Sequence, residues 1–302
     1  MNTRAAPPLW IAHAKLVIVS LCWGSTFIAG RVVAQAMPNL TAAGSRFILA
    51  SSIFLLLLLY HGPLPRLNRK QMMVTATMGF FGVFIANMFF FAALEKVSAG
   101  KTALIVSLSP ILITLVVAFL LKDRIGMQRW TGIGLALLGV SLVITEGRLN
   151  ELGYYIRNLF NTGEGFMLLS VCGWVVYTVL SRFALKGLTP LAATTYAALF
   201  GTLFLLVAAL TEIPQWNADM ISASTLGALV YLAAIGTAVP FLWYIEGIRA
   251  IGTTGTVIYS NLVPVFGVIL SFLILSEPIS LPMVLGGLVV IAGVTLTNRS
   301  RS

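Results

Sequence analysis

The feature that most constrains this chain is a series of ten apolar stretches of about 20 residues each, the length an α-helix needs to cross a bilayer. Hydrocarbon offers no water to backbone amides, so spanning segments are helices or a closed barrel. The stretches are continuously apolar rather than alternating, which selects helices. Of 302 residues 59% are hydrophobic and 9% charged, too little polar side chain to coat a soluble globule of that size. The pattern predicts spans over residues 15–34, 40–60, 72–94, 100–121, 130–145, 165–185, 190–211, 225–244, 255–275 and 281–297. The expected fold is therefore an all-α membrane protein of ten transmembrane helices.

The formal net charge of +10 has a topological reading before any other. With the N-terminus inside, Arg4, Lys15, Arg66, Arg69, Lys70, Lys122, Arg124, Arg129, Arg182, Lys186, Arg249, Arg299 and Arg301 fall on the cytoplasmic side. Arg31, Lys96, Lys101, Arg148 and Arg157 fall outside, together with Glu95, Glu146, Glu151, Glu164, Glu212, Asp219 and Glu277. The basic excess thus needs no nucleic-acid partner, and both termini are expected in the cytoplasm. Residues 1–10 hold one arginine and two prolines, with no small-residue cleavage site after the first span, so that span reads as uncleaved. Cys22 and Cys172 both fall inside spans and read as free thiols.

Sliding the chain on itself by 154 residues aligns Thr102 with Thr256, Leu108 with Leu262, Pro110 with Pro264, Gly132 with Gly286, Gly139 with Gly293 and Val140 with Val294. Nearer the start of each half the offset is 151, placing Trp23 opposite Trp174 and Arg31 opposite Arg182. Five spans per half is an odd number, so the second half crosses in the opposite sense. The expected organisation is a first repeat over 1–146, an external linker over 147–164 and an inverted repeat over 165–302, around a central cavity. In the linker, Leu149, Leu152, Ile156, Leu159 and Phe160 recur at near-helical spacing, predicting a short helix on the membrane surface, either a lid or a tether anchored by Tyr154 and Tyr155.

Repeat-related transporters bind cargo near the midplane, which directs attention to polar and aromatic residues deep in spans. Trp23 and Trp174 lie about 12 to 15 Å into theirs, too deep for interfacial anchoring, and either line a cavity or pack between helices. Tyr177 and Thr178 follow Trp174 at three and four residues and can share its face. Phe80, Phe84, Asn87 and Phe91 are spaced four, three and four apart, so Asn87 should point inward, to cargo or to another helix. Ser107 and Asn261 each precede a repeat proline by three residues, where the missing amide donor frees a carbonyl about a turn back. Tyr244 and Tyr259 are further binding candidates, with Tyr231, while Pro240 is expected to kink the eighth span. Gly132 with Gly139 and Gly286 with Gly293 predict close helix packing, between the repeats or with a second copy. The protein is accordingly read as a monomer or a homodimer.

Trp23-Gly24-Ser25, Pro110 late in a small-residue fourth span, its mate Pro264, and the glycine-spaced fifth and tenth spans carry a resemblance. Over nearly its whole length the chain resembles the EamA-type drug/metabolite transporter superfamily, and within it most resembles bacterial inner-membrane aromatic amino acid exporters. The resemblance implies a multi-pass protein of a bacterial-type inner membrane in which the first-span and sixth-span tryptophans line a central cavity.

No span carries an Asp, Glu, Lys or His near its centre, and Arg46 and Glu246 lie close enough to a boundary to snorkel. That excludes a buried carboxylate relay and a fixed midplane charge, and argues against strongly charged cargo. No HExxH, GxSxG or P-loop is present, and His13 and His61 lie near boundaries, so no enzyme, metal or cofactor chemistry is expected. The functional expectation is an exporter of small amphipathic metabolites, amino acids first (neutral and aromatic included), by alternating access and possibly as a facilitator. The competing expectation is an exporter of lipophilic cations or other metabolites, held by cation–π contact with the tryptophans.

Overall fold

The computed structural model describes residues 9–122, 126–217 and 221–299. Arg4, Arg124, Asp219 and Arg301, sorted by side above, lie outside these residues, as do residues 1–8 of the leading segment. Among the described residues nine helices are long and apolar enough to cross a membrane: α1 Leu9–Ala36, α2 Asn39–Tyr60, α3 Arg69–Lys96, α4 Ala99–Leu120, α5 Met127–Ile144, α6 Gly163–Ala184, α7 Pro190–Gln215, α8 Ala223–Gly252 and α9 Gly255–Leu275. A last helix, α10 Leu281–Arg299, has a shorter apolar stretch, Leu281–Thr297. The chain is a multi-pass membrane protein. Its outward faces carry Leu56, Phe119, Val207, Leu273 and Leu288, apolar side chains that a bilayer would cover.

Polar residues set the helix starts. Asn68 opens α3 with a capping box: its side chain accepts from the Gln71 amide at 2.8 Å while the Gln71 side chain accepts from the Asn68 amide at 3.0 Å. The side chains of Ser98, Thr162, Thr189 and Ser222 each accept one amide hydrogen bond at the start of α4, α6, α7 and α8. Pro38 precedes α2 and has no oxygen to offer, so Glu212, at the end of α7, accepts from the amides of Leu40 at 3.0 Å and Thr41 at 2.7 Å. The linker is a 3-10 turn, Leu149–Glu151, and a short helix, Leu152–Arg157.

Four helices are interrupted. α3 widens to π geometry over Gly79–Ile85, and α8 over Ala234–Ala238. Pro240 falls in the first turn after that second π segment, where its missing N–H costs least. α8 continues past the predicted 225–244 to Gly252, whose φ of +77° suits glycine and separates α8 from α9. The breaks in α4, between Val106 and Ser109, and in α9, between Tyr259 and Leu262, occupy matching positions just before Pro110 and Pro264.

Packing follows a reciprocal pattern. α1 lies against α8 and α9, while α6 lies against α3 and α4; α2 pairs with α7 and α5 with α10. In the α5–α10 pair the backbones approach so closely that a Cβ on Gly132 would lie 2.6 Å from the Gly293 carbonyl oxygen, and one on Gly139 2.6 Å from that of Gly286.

Candidate functional site

A partly enclosed cavity lies where α1, α2, α3, α4, α6, α8 and α9 converge, with about 920 Å³ of empty space, open solvent included. One wall is aromatic. The rings of Trp23 and Trp174 meet edge to face at 5.6 Å between centroids and 81°, Phe241 stands 5.4 Å from Trp174, and Tyr244 stands 4.9 Å from Trp23. Such offset geometries let each ring present an edge to its neighbour's face and hold the cluster in one arrangement. Gly24 makes the placement of Trp23 possible, because a Cβ there would fall 2.6 Å from that of Phe266 on α9.

Another part of the wall is polar. Arg46 on α2 is 6% exposed. Its Nε donates to Thr237 Oγ1 at 2.9 Å, its Nη1 to Asn87 Oδ1 at 3.2 Å and its Nη2 to the Gly236 carbonyl at 3.4 Å. The expectation that Arg46 snorkels to the boundary, and with it the absence of a fixed charge deep in the bundle, is corrected here. Counting from Asn39 places Arg46 two turns into α2, within reach of the boundary, but α3 and α8 close over it and supply neutral oxygens to three of its donors. The two π segments create these partners. Asn87 lies two residues past the end of the first and turns its amide nitrogen back to the Val83 carbonyl at 2.9 Å, leaving its oxygen for the arginine. Thr237 lies in the second, and its hydroxyl donates to the Leu232 carbonyl five residues back at 2.7 Å. Widened turns of this kind recur at functional sites. Glu246, by contrast, is exposed and pairs with Lys15 at 2.8 Å.

Among the sequence candidates, Trp23, Asn87, Trp174 and Tyr244 form part of the cavity wall. The other six lie outside it. Phe91 is fully buried in the core while Phe90, beside it on the same α-helical stretch as Asn87, faces the cavity; Phe80 and Phe84 lie in the π segment, which turns them off the face of Asn87, and pack on Phe204 of α7. Tyr177 is stacked behind Trp174 at 5.2 Å and 17°. Thr178 and Ser107 are buried without a hydrogen-bond partner among the described residues. Tyr259 bonds His13 Nδ1 at 2.6 Å through its hydroxyl, and its carbonyl accepts from Ser20 at 2.7 Å. Asn261 is half-buried in the α9 break.

Arg46, Ser109 and Phe241 are also part of the wall without having been singled out as binding residues. Phe241 had a signal, three residues before Tyr244 on one helical face. Ser109 adds a buried hydroxyl with no partner among the described residues, beside Val106, whose carbonyl loses its helical donor to Pro110.

At the end of the bundle that carries the linker, Lys101 Nζ pairs with Glu164 at 2.8 Å and Glu146 at 3.2 Å, joining α4 to α6 and the linker. There Arg31 donates to the carbonyls of Leu94 and Val97 and lies 3.8 Å from Glu277, whose carboxylate accepts from the Ala99 and Gly100 amides that open α4. At the opposite end the Lys15–Glu246 pair joins α1 to α8.

The model of the EamA-like transporter family matches residues 10–145 and again 161–299. The chain is 33% identical over 286 residues to the uncharacterized transporter YyaM of Bacillus subtilis, covering 93% of this chain and 92% of that protein. It is 28% identical over 288 residues to the uncharacterized transporter YetK of the same organism, covering 95% and 86%. A solved crystal structure superposes with a TM-score of 0.66 at 20% identity over 95% of this chain and 97% of that one, a likeness of fold.

Proposed function

Because this chain belongs to the EamA-like transporter family, we propose that it exports small amphipathic metabolites, amino acids first among them, from a central cavity by alternating access. The observation that carries this reading is the cavity itself, walled by Trp23 and Trp174 from the two family-matched segments. The aromatic wall suits an apolar side chain, and the polar wall, with a Ser109 hydroxyl that has no partner among the described residues, suits a backbone-like head group.

The moving parts in this proposal are two inverted repeats of five transmembrane helices each, α10 completing the tenth, joined by the linker at 147–164. Residues related by a two-fold axis touch their own mates only on that axis. Trp23 touches Trp174 and Ser51 hydrogen-bonds Thr202 at 2.7 Å, both pairs 151 residues apart. The reciprocal glycine contacts of α5 and α10 support the same axis. In an inner membrane with both termini cytoplasmic, the Lys101 and Arg31 networks close the outer end and Lys15–Glu246 bridges the inner one. Alternation exchanges which set is intact.

Counterflow of labelled amino acids into proteoliposomes, with no imposed gradient, tests the proposal. Wild type should accumulate neutral or aromatic amino acids, and Trp23→Ala and Trp174→Ala should lose that exchange while remaining folded. Absence of amino acid exchange by folded wild type would sink the amino acid assignment.

A further inference from the structure

Arg46 is the only charged side chain in the cavity wall among the described residues. A guanidinium carries five N–H donors, and Thr237, Asn87 and Gly236 take three of them. One N–H on Nη1 and one on Nη2 are left. No ion pair among the described residues includes Arg46, and no Asp or Glu lines the wall. Removing an ion from water costs several kcal/mol, and neutral oxygens offset only part of that. The two π segments that supply those oxygens also hold the guanidinium plane still. A fixed planar fork with one free donor on each terminal nitrogen matches the two oxygens of a carboxylate.

We propose that Arg46 anchors a carboxylate of the cargo, so that the cavity takes carboxylate-bearing molecules with an apolar or aromatic body and rejects lipophilic cations. The proposal rests on reading the cavity as the transport site. The cluster of Trp23, Trp174, Phe241 and Tyr244 receives the body. An amino acid qualifies through its carboxylate. A lone amine meets a like charge and no acidic partner in the wall, and cation–π attraction to the rings has to work against that repulsion.

Three probes with the same phenyl body isolate the head group: 3-phenylpropanoate, L-phenylalanine and phenethylamine. Binding to the purified full chain is read by quenching of tryptophan fluorescence, and transport by counterflow in proteoliposomes. Wild type should bind and exchange the two carboxylates and not the amine. Arg46→Gln should weaken carboxylate binding by about tenfold or more, with Arg46→Lys in between, since Lys keeps the charge and loses the fork. Preference of wild type for phenethylamine would overturn the proposal while leaving the transport reading intact, and this comparison needs no variant to fold. Unchanged carboxylate affinity in folded Arg46→Gln would also overturn it. Failure of all three probes to bind or exchange with folded wild type would remove the transport-site reading underneath it.

Discussion

Replacing Gly139 by alanine puts a methyl group into the close α5–α10 seam. The new Cβ would lie 2.6 Å from the Gly286 carbonyl oxygen and 2.7 Å from both the Val290 amide nitrogen and its Cγ2. Ordinary contact begins near 3.4 Å, so α10 has to retreat by ~0.8 Å, and a gap of that size forfeits about a quarter to a half of each contact along the seam. Overpacking of this kind costs about 1–3 kcal/mol. Two of the three clashing atoms are backbone and cannot rotate away, which places Gly139→Ala near the upper end. The helix gains up to about 1 kcal/mol from alanine's propensity, leaving a net loss of roughly 2 kcal/mol. Gly134 on the same helix is the control, because nothing lies within 4 Å of its Cβ direction. Gly134→Ala should therefore gain up to about 1 kcal/mol. The two variants, heated in detergent and followed by the folded fraction recovered on size exclusion, should move in opposite directions, separated by on the order of 5 °C or more. Equal stability of the pair, or a Gly134→Ala protein less stable than Gly139→Ala, would refute the tight α5–α10 seam.

Lys101 and Glu164 are nearly buried and paired, so Lys101→Met should cost about 3–5 kcal/mol by stranding the carboxylate, and Lys101→Met with Glu164→Leu should recover most of it in the same thermal assay. Glu212→Gln should lower stability by about 1–2 kcal/mol, because α2 begins after a proline and takes its cap from this carboxylate. Ser107→Ala and Ser109→Ala each remove a buried hydroxyl that has no partner among the described residues, so neither should lose more than ~0.5 kcal/mol of stability. Only Ser109→Ala should reduce counterflow, since only Ser109 lines the cavity; equal transport loss in both would contradict the cavity boundary.

The sequence by itself determined that the chain crosses a membrane repeatedly as helices, because burying backbone in hydrocarbon leaves few alternatives and the apolar runs are long enough to count. It also located Trp23, Asn87 and Trp174, deep in spans where neither anchoring nor solvation explains an aromatic ring or an amide, and Tyr244, at the predicted end of a span that α8 carries on to Gly252. The glycine pairs of α5 and α10 were legible too, since a seven-residue spacing keeps small residues on one helical face. Neither the role of Arg46 nor the turning of Phe80 and Phe84 away from the face of Asn87 could be read that way. Both depend on π segments in α3 and α8, and a rule of 3.6 residues per turn carries the wrong face past such a widening. Whether an arginine two turns from a helix start reaches water or turns inward is decided by what stands beside it. Asn87, Thr237 and Gly236 come from α3 and α8, 41 to 191 residues away along the chain. Tertiary packing alone brings those oxygens to one guanidinium, and in doing so it gives a mostly apolar cavity a fixed positive charge.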